Sequence, residues 1–277
     1  MRVRIVLILL AGLVLTACGS SGGRGGTQVV AAFYPLAFAA EEIDPGASVR
    51  NLTPPGAEPH DLEVSPSDVQ DIRSADFVLL LGHGFQPQLE RAAGTGKNVF
   101  LLLDTPGLRL VPGDPHVWLD PLRYALVVGR IGSALGRPRT ARRFVTRLHA
   151  LDGEYRAGLA HCARKEIVTS HEAFGYLAQR YGLRQVAITG VTPEAEPTPQ
   201  KLANVIATVR RTRATTVFFE TLVSPRLADT VARETGAKTA ALDPIEGLTP
   251  EEQKAGADYF SLMRSNLAAL RTALGCR

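Results

Sequence analysis

The sequence is short of several features that would place a protein quickly. Only three of its 277 residues are cysteine, Cys18, Cys162 and Cys276, spaced too widely for a C-x-x-C metal or redox pair. Its six histidines never recur as H-x-x-x-H. Neither H-E-x-x-H nor G-x-x-x-x-G-K-[ST] occurs, so the sequence marks of a zinc protease and of a phosphate-cradling nucleotide loop are missing. No run of five or six like charges exists. The cluster Arg210-Arg211-Thr212-Arg213 reads as a solvated helix end, so no nucleic-acid partner is expected. No internal sequence repeat is present. The apolar stretch Ile5–Leu15, about 11 residues, is too short to span a bilayer.

That stretch has the length of a signal-peptide core, and Met1-Arg2-Val3-Arg4 before it supplies the charged region such peptides begin with. Two of the positive charges behind the formal net charge of +4 therefore sit in a leader expected to be removed. The stretch ends in Leu15-Thr16-Ala17-Cys18-Gly19, which resembles the bacterial lipoprotein signal, in which the cysteine is acylated and becomes the first mature residue. Two or three acyl chains make a stable anchor where one does not. Residues 1–17 are thus expected to be a signal peptide, and 18–27, with Ser20–Gly26 reading SSGGRGG, a flexible lipidated tether. The expected place is the outer face of the bacterial cytoplasmic membrane, or the periplasm. In that oxidising setting Cys162 and Cys276 form an even pair. They are expected to form a disulfide closing a long loop, with two free thiols as the alternative.

A hydrophobic content of 45% and a charged content of 21% are ordinary for a globular chain, and the length suits two domains. Short apolar runs bounded by turn residues predict strands at Val29–Phe33, Ser48–Leu52, Phe77–Leu81 and Val99–Leu103. Helical patterns lie between them at Leu36–Ile43, Pro66–Ser74 and Pro87–Ala93. Ser65 is placed to cap the second of these, with Pro66 at its first position and Asp68 reaching back. Alternation of this kind predicts a parallel sheet covered by helices. From Pro121 to about Ala163 the helical spacing runs on without a strand, broken only at Gly136-Arg137-Pro138, which predicts one or two long connecting helices. Strands at Ile167–Thr169, Gln185–Ile188, Thr216–Phe219 and Thr239–Leu242 then alternate with helices at Phe174–Tyr181, Pro199–Arg211, Ser224–Thr235 and Pro250–Leu274, the last capped by Thr249.

Three histidines and one aspartate share a setting. His60 follows the second strand, His116 precedes the connector, His171 follows the strand ending at Thr169, and Asp243 follows the strand ending at Leu242. The carboxyl edge of an open α/β sheet is where such folds bind ligands. Two of the four come from each half, so they can converge across a cleft. Three imidazoles and a carboxylate form an N3O set that suits tetrahedral zinc and leaves no open position for an activated water. Trp118 reads as a packing anchor beneath the site. His83 ends a strand without matching a ligand pattern, and His149 and His161 read as exposed.

The segments around these residues resemble the metal-specific solute-binding proteins of bacterial ABC importers, the ZnuA-like zinc binders and their manganese-binding relatives. Gly56-Ala57-Glu58-Pro59-His60-Asp61 looks like the segment bearing that family's first ligand. Asp114-Pro115-His116-Val117-Trp118-Leu119-Asp120-Pro121 matches the second and is the most specific motif in the chain. Thr169-Ser170-His171-Glu172-Ala173-Phe174-Gly175-Tyr176 resembles the third, and Leu242-Asp243-Pro244 the fourth. The resemblance runs from Val29 to Leu274. It implies an N-terminal α/β metal-binding lobe (28–120), a long rigid connector helix region (121–163) and a C-terminal lobe (164–277). It also implies a monomer that binds Zn2+ and delivers it to a membrane permease and its ATPase, not an enzyme. A histidine in the third position points to zinc rather than manganese. Glu58 and Asp61 remain alternative ligands, and Glu220 is expected to support the site or to coordinate directly. The chain departs from many zinc members in having a short Asp104–Pro115 loop without histidine. Alternative readings are a manganese- or iron-binding relative, an adhesin, or a zinc-dependent hydrolase with Glu172 or Glu220 as base.

Overall fold

The computed structural model describes residues 26–193 and 195–277. The expected signal peptide, Cys18 and the tether up to residue 25 lie outside the described residues. The first half alternates β1 (Gln28–Ala31), α1 (Tyr34–Ile43), β2 (Ser48–Asn51), α2 (Pro66–Ser74), β3 (Phe77–Leu80), α3 (Pro87–Ala93) and β4 (Val99–Leu101). Its four strands are parallel in the order β2-β1-β3-β4. The central strands are continuous apolar runs because helices cover both faces. Val29, Val30 and Ala31 of β1 and Val78, Leu79 and Leu80 of β3 are all buried. Ser65 starts α2 as expected: its hydroxyl accepts the Asp68 N–H at 3.2 Å while the Asp68 carboxylate accepts the Ser65 N–H at 2.9 Å.

The connector is two helices, α4 (Pro121–Ala134) and α5 (Pro138–Leu159). They turn at Leu135–Arg137, and Gly132 of α4 lies so close to Ala141 of α5 that no larger side chain fits there. With 22 residues, α5 is about 33 Å long, and it touches both halves. Phe144 meets Phe38 of α1 edge-on at 5.6 Å, and the Tyr155 hydroxyl donates to the Met263 carbonyl of the last helix at 2.6 Å.

The second half repeats the plan with β5 (Glu166–Thr169), α6 (Gly175–Tyr181), β6 (Arg184–Ala187), α7 (Pro199–Thr212), β7 (Thr216–Phe219), α8 (Arg226–Thr235) and β8 (Lys238–Ala241), then α9 (Pro250–Lys254) and α10 (Tyr259–Leu274). Its sheet is again parallel, in the order β6-β5-β7-β8. The single helix expected over Pro250–Leu274 is split. Gly256 adopts a φ of 71°, a conformation glycine takes without steric cost, and Asp258 restarts the chain with its own capping box to Ser261.

One buried apolar cluster runs from β1 and β3 through α1, α4 and α5 to α6, α10, Phe218 and Ile245. A smaller one fills the space between the second sheet and α7 and α8. The halves therefore share an interior. A disulfide joins Cys162, just past α5, to Cys276, just past α10, across 114 residues. Among the described residues no helix is long and apolar enough to cross a membrane.

Candidate metal centre

The carboxyl edges of the two sheets face one cleft, and the loops leaving the strands there carry the polar residues. His60 sits on the loop after β2. This loop is clipped to the opposite half by the Gly56 N–H, which donates to the Leu248 carbonyl at 2.8 Å. The His60 ring lies edge-on to Phe85 at 4.6 Å, and its backbone N–H donates to Glu58 at 3.2 Å.

His116 precedes a short 3-10 turn, Val117–Leu119, that leads into α4. Asp114 accepts both its backbone N–H, at 3.0 Å, and a bond at ring Nδ1, at 2.9 Å. Tyr176 of α6 pins the preceding loop by accepting the Val111 N–H and donating to the Asp114 carbonyl.

His171 follows β5 directly. Its Nδ1 lies 2.7 Å from a Glu220 carboxylate oxygen at the end of β7, and its backbone N–H donates to the other oxygen at 3.2 Å. In both His116 and His171 a carboxylate thus occupies Nδ1 and turns Nε2 toward the cleft. This fixes tautomer and ring orientation in the way partners of metal-binding histidines do. Glu220 supports His171 rather than joining the cluster.

The carboxylate that meets the three rings is Glu246. Its oxygen lies 2.9 Å from His116 Nε2, 3.4 Å from His60 Nε2 and 3.7 Å from His171 Nε2. One candidate ligand atom from each of these four residues lies within 4.8 Å of the others. His116, His171 and Glu246 are fully buried.

Asp243, the fourth ligand expected from the sequence, is not in this group. It shapes the loop instead: its side chain accepts the Ile245 N–H at 2.7 Å, and its own N–H donates to Asn266 at 2.8 Å. Trp118 donates from its indole to the Pro244 carbonyl at 2.7 Å. Held this way, Ile245 takes a φ of 57°, a left-handed conformation rare for a β-branched residue, and the chain delivers Glu246 to the three rings. The sequence offered one faint signal for it, an acid enclosed by Ile245, Gly247 and Leu248 with no neighbouring cation.

The other candidates fall outside the cluster. Asp61 is exposed on the wall of a cavity of about 520 Å³ that opens beside His60 and is also lined by His83, Asp114 and Thr192. His83 faces Asp104 at 2.8 Å, and His149 and His161 are exposed. Glu172 donates its backbone N–H to the Gly190 carbonyl and is exposed.

The carboxylates around the cluster shift the titration of its two buried rings. Burial opposes protonation of His171, yet Glu220 and Glu246 override it and push its pKa up to about 10. His116 is raised in the same manner: burial is outweighed by Asp114 and Glu246. Burial would raise Glu246, but the three histidines hold it well below the usual carboxylate range. Asp243 moves the other way, pushed up to about 7 by burial and by the nearby carboxylates, against the Ile245 N–H. Three imidazole edges and one carboxylate at this spacing are a donor set for a borderline divalent ion of tetrahedral preference.

Comparison with known proteins places this arrangement. The family model described as ZnuA, zinc-uptake complex component A periplasmic, matches residues 29–273. The chain is 35% identical over 288 aligned positions to the zinc-binding protein AdcA of Streptococcus pyogenes serotype M6, covering 90% of this chain and 56% of that protein. It thus spans little more than half the length of the AdcA relatives. It is 32% identical to the high-affinity zinc uptake system protein ZnuA of Bacillus subtilis, covering 95% of this chain and 94% of the relative. Among solved structures, the Zn(II)-bound ZnuA-like domain of Streptococcus pneumoniae AdcA superposes with a TM-score of 0.78 at 34% identity, over 90% of this chain and 99% of that one. The laminin-binding protein Lmb of Streptococcus agalactiae, described as having adhesin and metal-transporting activity, gives 0.82 at 31% identity, over 90% and 100%. The chain belongs to the ZnuA family, whose name is that of the periplasmic component A of zinc-uptake complexes.

Proposed function

We propose that this protein captures Zn2+ between its two lobes outside the cytoplasm and hands it to a membrane permease and its ATPase. The single observation that carries the reading is the convergence of His60, His116, His171 and Glu246, two from each half, on one point. The names of the relatives, zinc-binding AdcA and the zinc-uptake protein ZnuA, support zinc as the cargo. Four protein ligands leave no position for an activated water, which favours binding over hydrolysis. The Leu15–Gly19 sequence supports a lipid anchor on Cys18, and a relative at 33% identity, from Streptococcus pneumoniae, carries the name zinc-binding lipoprotein. Three imidazoles favour zinc over manganese, which suits oxygen-rich sets.

Competition against a coloured chelator tests the ligand set. Glu246→Gln and His116→Ala are expected to weaken zinc binding by at least about a hundredfold with unchanged circular dichroism. Glu220→Gln, which removes only the support of His171, should cost roughly ten- to a hundredfold. Asp243→Asn should have a smaller effect than Glu246→Gln. The reverse order would exchange the two residues' roles. Full affinity in His116→Ala would end the reading.

A further inference from the structure

Part of the cleft rim is a turn whose shape the sequence sets. In Val111-Pro112-Gly113-Asp114, proline in the second place and glycine in the third are the pattern of a type II turn. Gly113 takes a φ of 81°, and the Asp114 N–H donates to the Val111 carbonyl at 3.1 Å. Val111, Pro112 and Gly113 are exposed. The turn stands between two hollows, the cavity of about 520 Å³ beside His60 and another of about 320 Å³ that reaches Glu172, Gly175 and Gln179. With space on both sides, the turn depends on hydrogen bonds for its position.

Those bonds come from one residue of the opposite half. The Tyr176 hydroxyl accepts the Val111 N–H at 2.8 Å and donates to the Asp114 carbonyl at 3.0 Å. Among the described residues no other side chain of the second half bonds this turn. The Tyr176 ring is itself fixed, buried with the Arg123 guanidinium over its face at 4.6 Å. Beside it, Gly175 comes so near Asp114 that a Cβ there would stand 2.6 Å from the carboxylate Oδ2. The other oxygen, Oδ1, accepts the His116 N–H at 3.0 Å and meets its Nδ1 at 2.9 Å. Residues 171–176 therefore carry one ligand of the cluster, His171, and the clamp on the group that aims a second, His116.

We infer that Tyr176 is a positioning residue of the metal centre and the latch of its rim, tying the aim of His116 to contact between the two lobes. The inference rests on the proposed metal-binding function. A carboxylate that orients an imidazole does so only while it is anchored itself. When the turn lifts from Tyr176, Asp114 moves with it, so one displacement both uncovers the cleft and leaves His116 free to rotate. Two neutral hydrogen bonds at a wet rim are weak enough to break during transfer, yet together slow escape by roughly tenfold.

Tyr176→Phe keeps the ring beside Arg123 and removes only the hydroxyl. Zinc dissociation from the loaded protein, followed by stopped flow into excess coloured chelator, should be faster by about tenfold, with association changed by less than about twofold. Tyr181→Phe is the control, since it removes a buried hydroxyl of the same helix that donates to Asp152 at 3.0 Å, away from the turn. It should leave both rates as they are in the unaltered protein. In the metal-free protein with ¹⁵N-labelled histidine, the Nδ1–H signal of His116 should broaden in Tyr176→Phe, while that of His171, held by Glu220, should stay sharp. Unchanged dissociation in Tyr176→Phe, equal acceleration in Tyr181→Phe, or an unaltered His116 signal would overturn the inference. If the unaltered protein bound no zinc, the metal-binding reading would fail, and the histidine spectra would still decide the positioning role.

Discussion

At the scale of single residues, the proposed zinc cargo competes first with protons. His171 has a pKa of about 10 in the fold against an ordinary value near 6.5. A raised pKa means that its contribution to the stability of the metal-free protein is full below about pH 6.5 and is lost as pH rises toward 10. Glu246 is depressed, so its contribution is present above about pH 4.5 and lost on acidification. The metal-free protein should therefore draw most on this network between those two limits. Zinc needs the imidazoles deprotonated, so the rise in melting temperature on adding zinc should be larger at pH 8 than at pH 6. Calorimetry in buffers of different ionisation enthalpy should show at least one proton released per zinc near pH ~7.5; no release would mean the rings are already neutral. The three histidines were legible because each follows or precedes a recognisable element within a distinctive motif. Glu246 was not. Its selection over Asp243 depends on a left-handed Ile245 and on bonds from Asn266 and Trp118, contacts between segments far apart in sequence.

Among the elements, local chemistry was read well and continuity less so. The eight strands fall within one or two residues of their apolar runs, and Ser65, Thr249 and Pro66 mark helix starts as expected. The break between α4 and α5 falls at the expected Gly136-Arg137-Pro138, whereas the one at Gly256 was not expected, because helical spacing survives a turn of that length. Asp120 shows what joins these elements. Its carboxylate caps α4 through the Leu122 N–H at 2.9 Å and meets Arg180 of α6 at 3.2 Å. Arg180 also bonds Asp152 of α5 at 2.6 Å, and burial of Asp152 is outweighed by its arginine partners, which hold its pKa below the usual range. Asp120→Ala would remove a cap and strand part of this charge group, with an expected loss of about 2–4 kcal/mol in denaturant unfolding. A loss below about 1 kcal/mol would show that Asp152 alone satisfies Arg180.

For the whole molecule, the shared apolar cluster and the disulfide act on different parts. The bridge ties the end of α5 to the end of α10, far from the loops that carry the ligands. Cys162→Ser with Cys276→Ser should lower stability by up to ~4–5 kcal/mol on the chain-entropy account. Zinc affinity should stay within about twofold, since no ligand loop is attached there. A large fall in affinity would instead couple the bridge to the cleft.

The common interior also limits how a metal held in the cleft could leave. Phe38, Phe144, Tyr124, Tyr259 and Phe260 interlock across α1, α4, α5 and α10, with centroids 4.7–6.3 Å apart. Swinging one half wide would wet these rings, at roughly 25 cal/mol for every Å² uncovered. A clamshell stroke is therefore the expensive route. The inexpensive one is to peel back a rim loop, so under the proposed handover the receiving transporter should act more like a key lifting a latch than like hands opening a book.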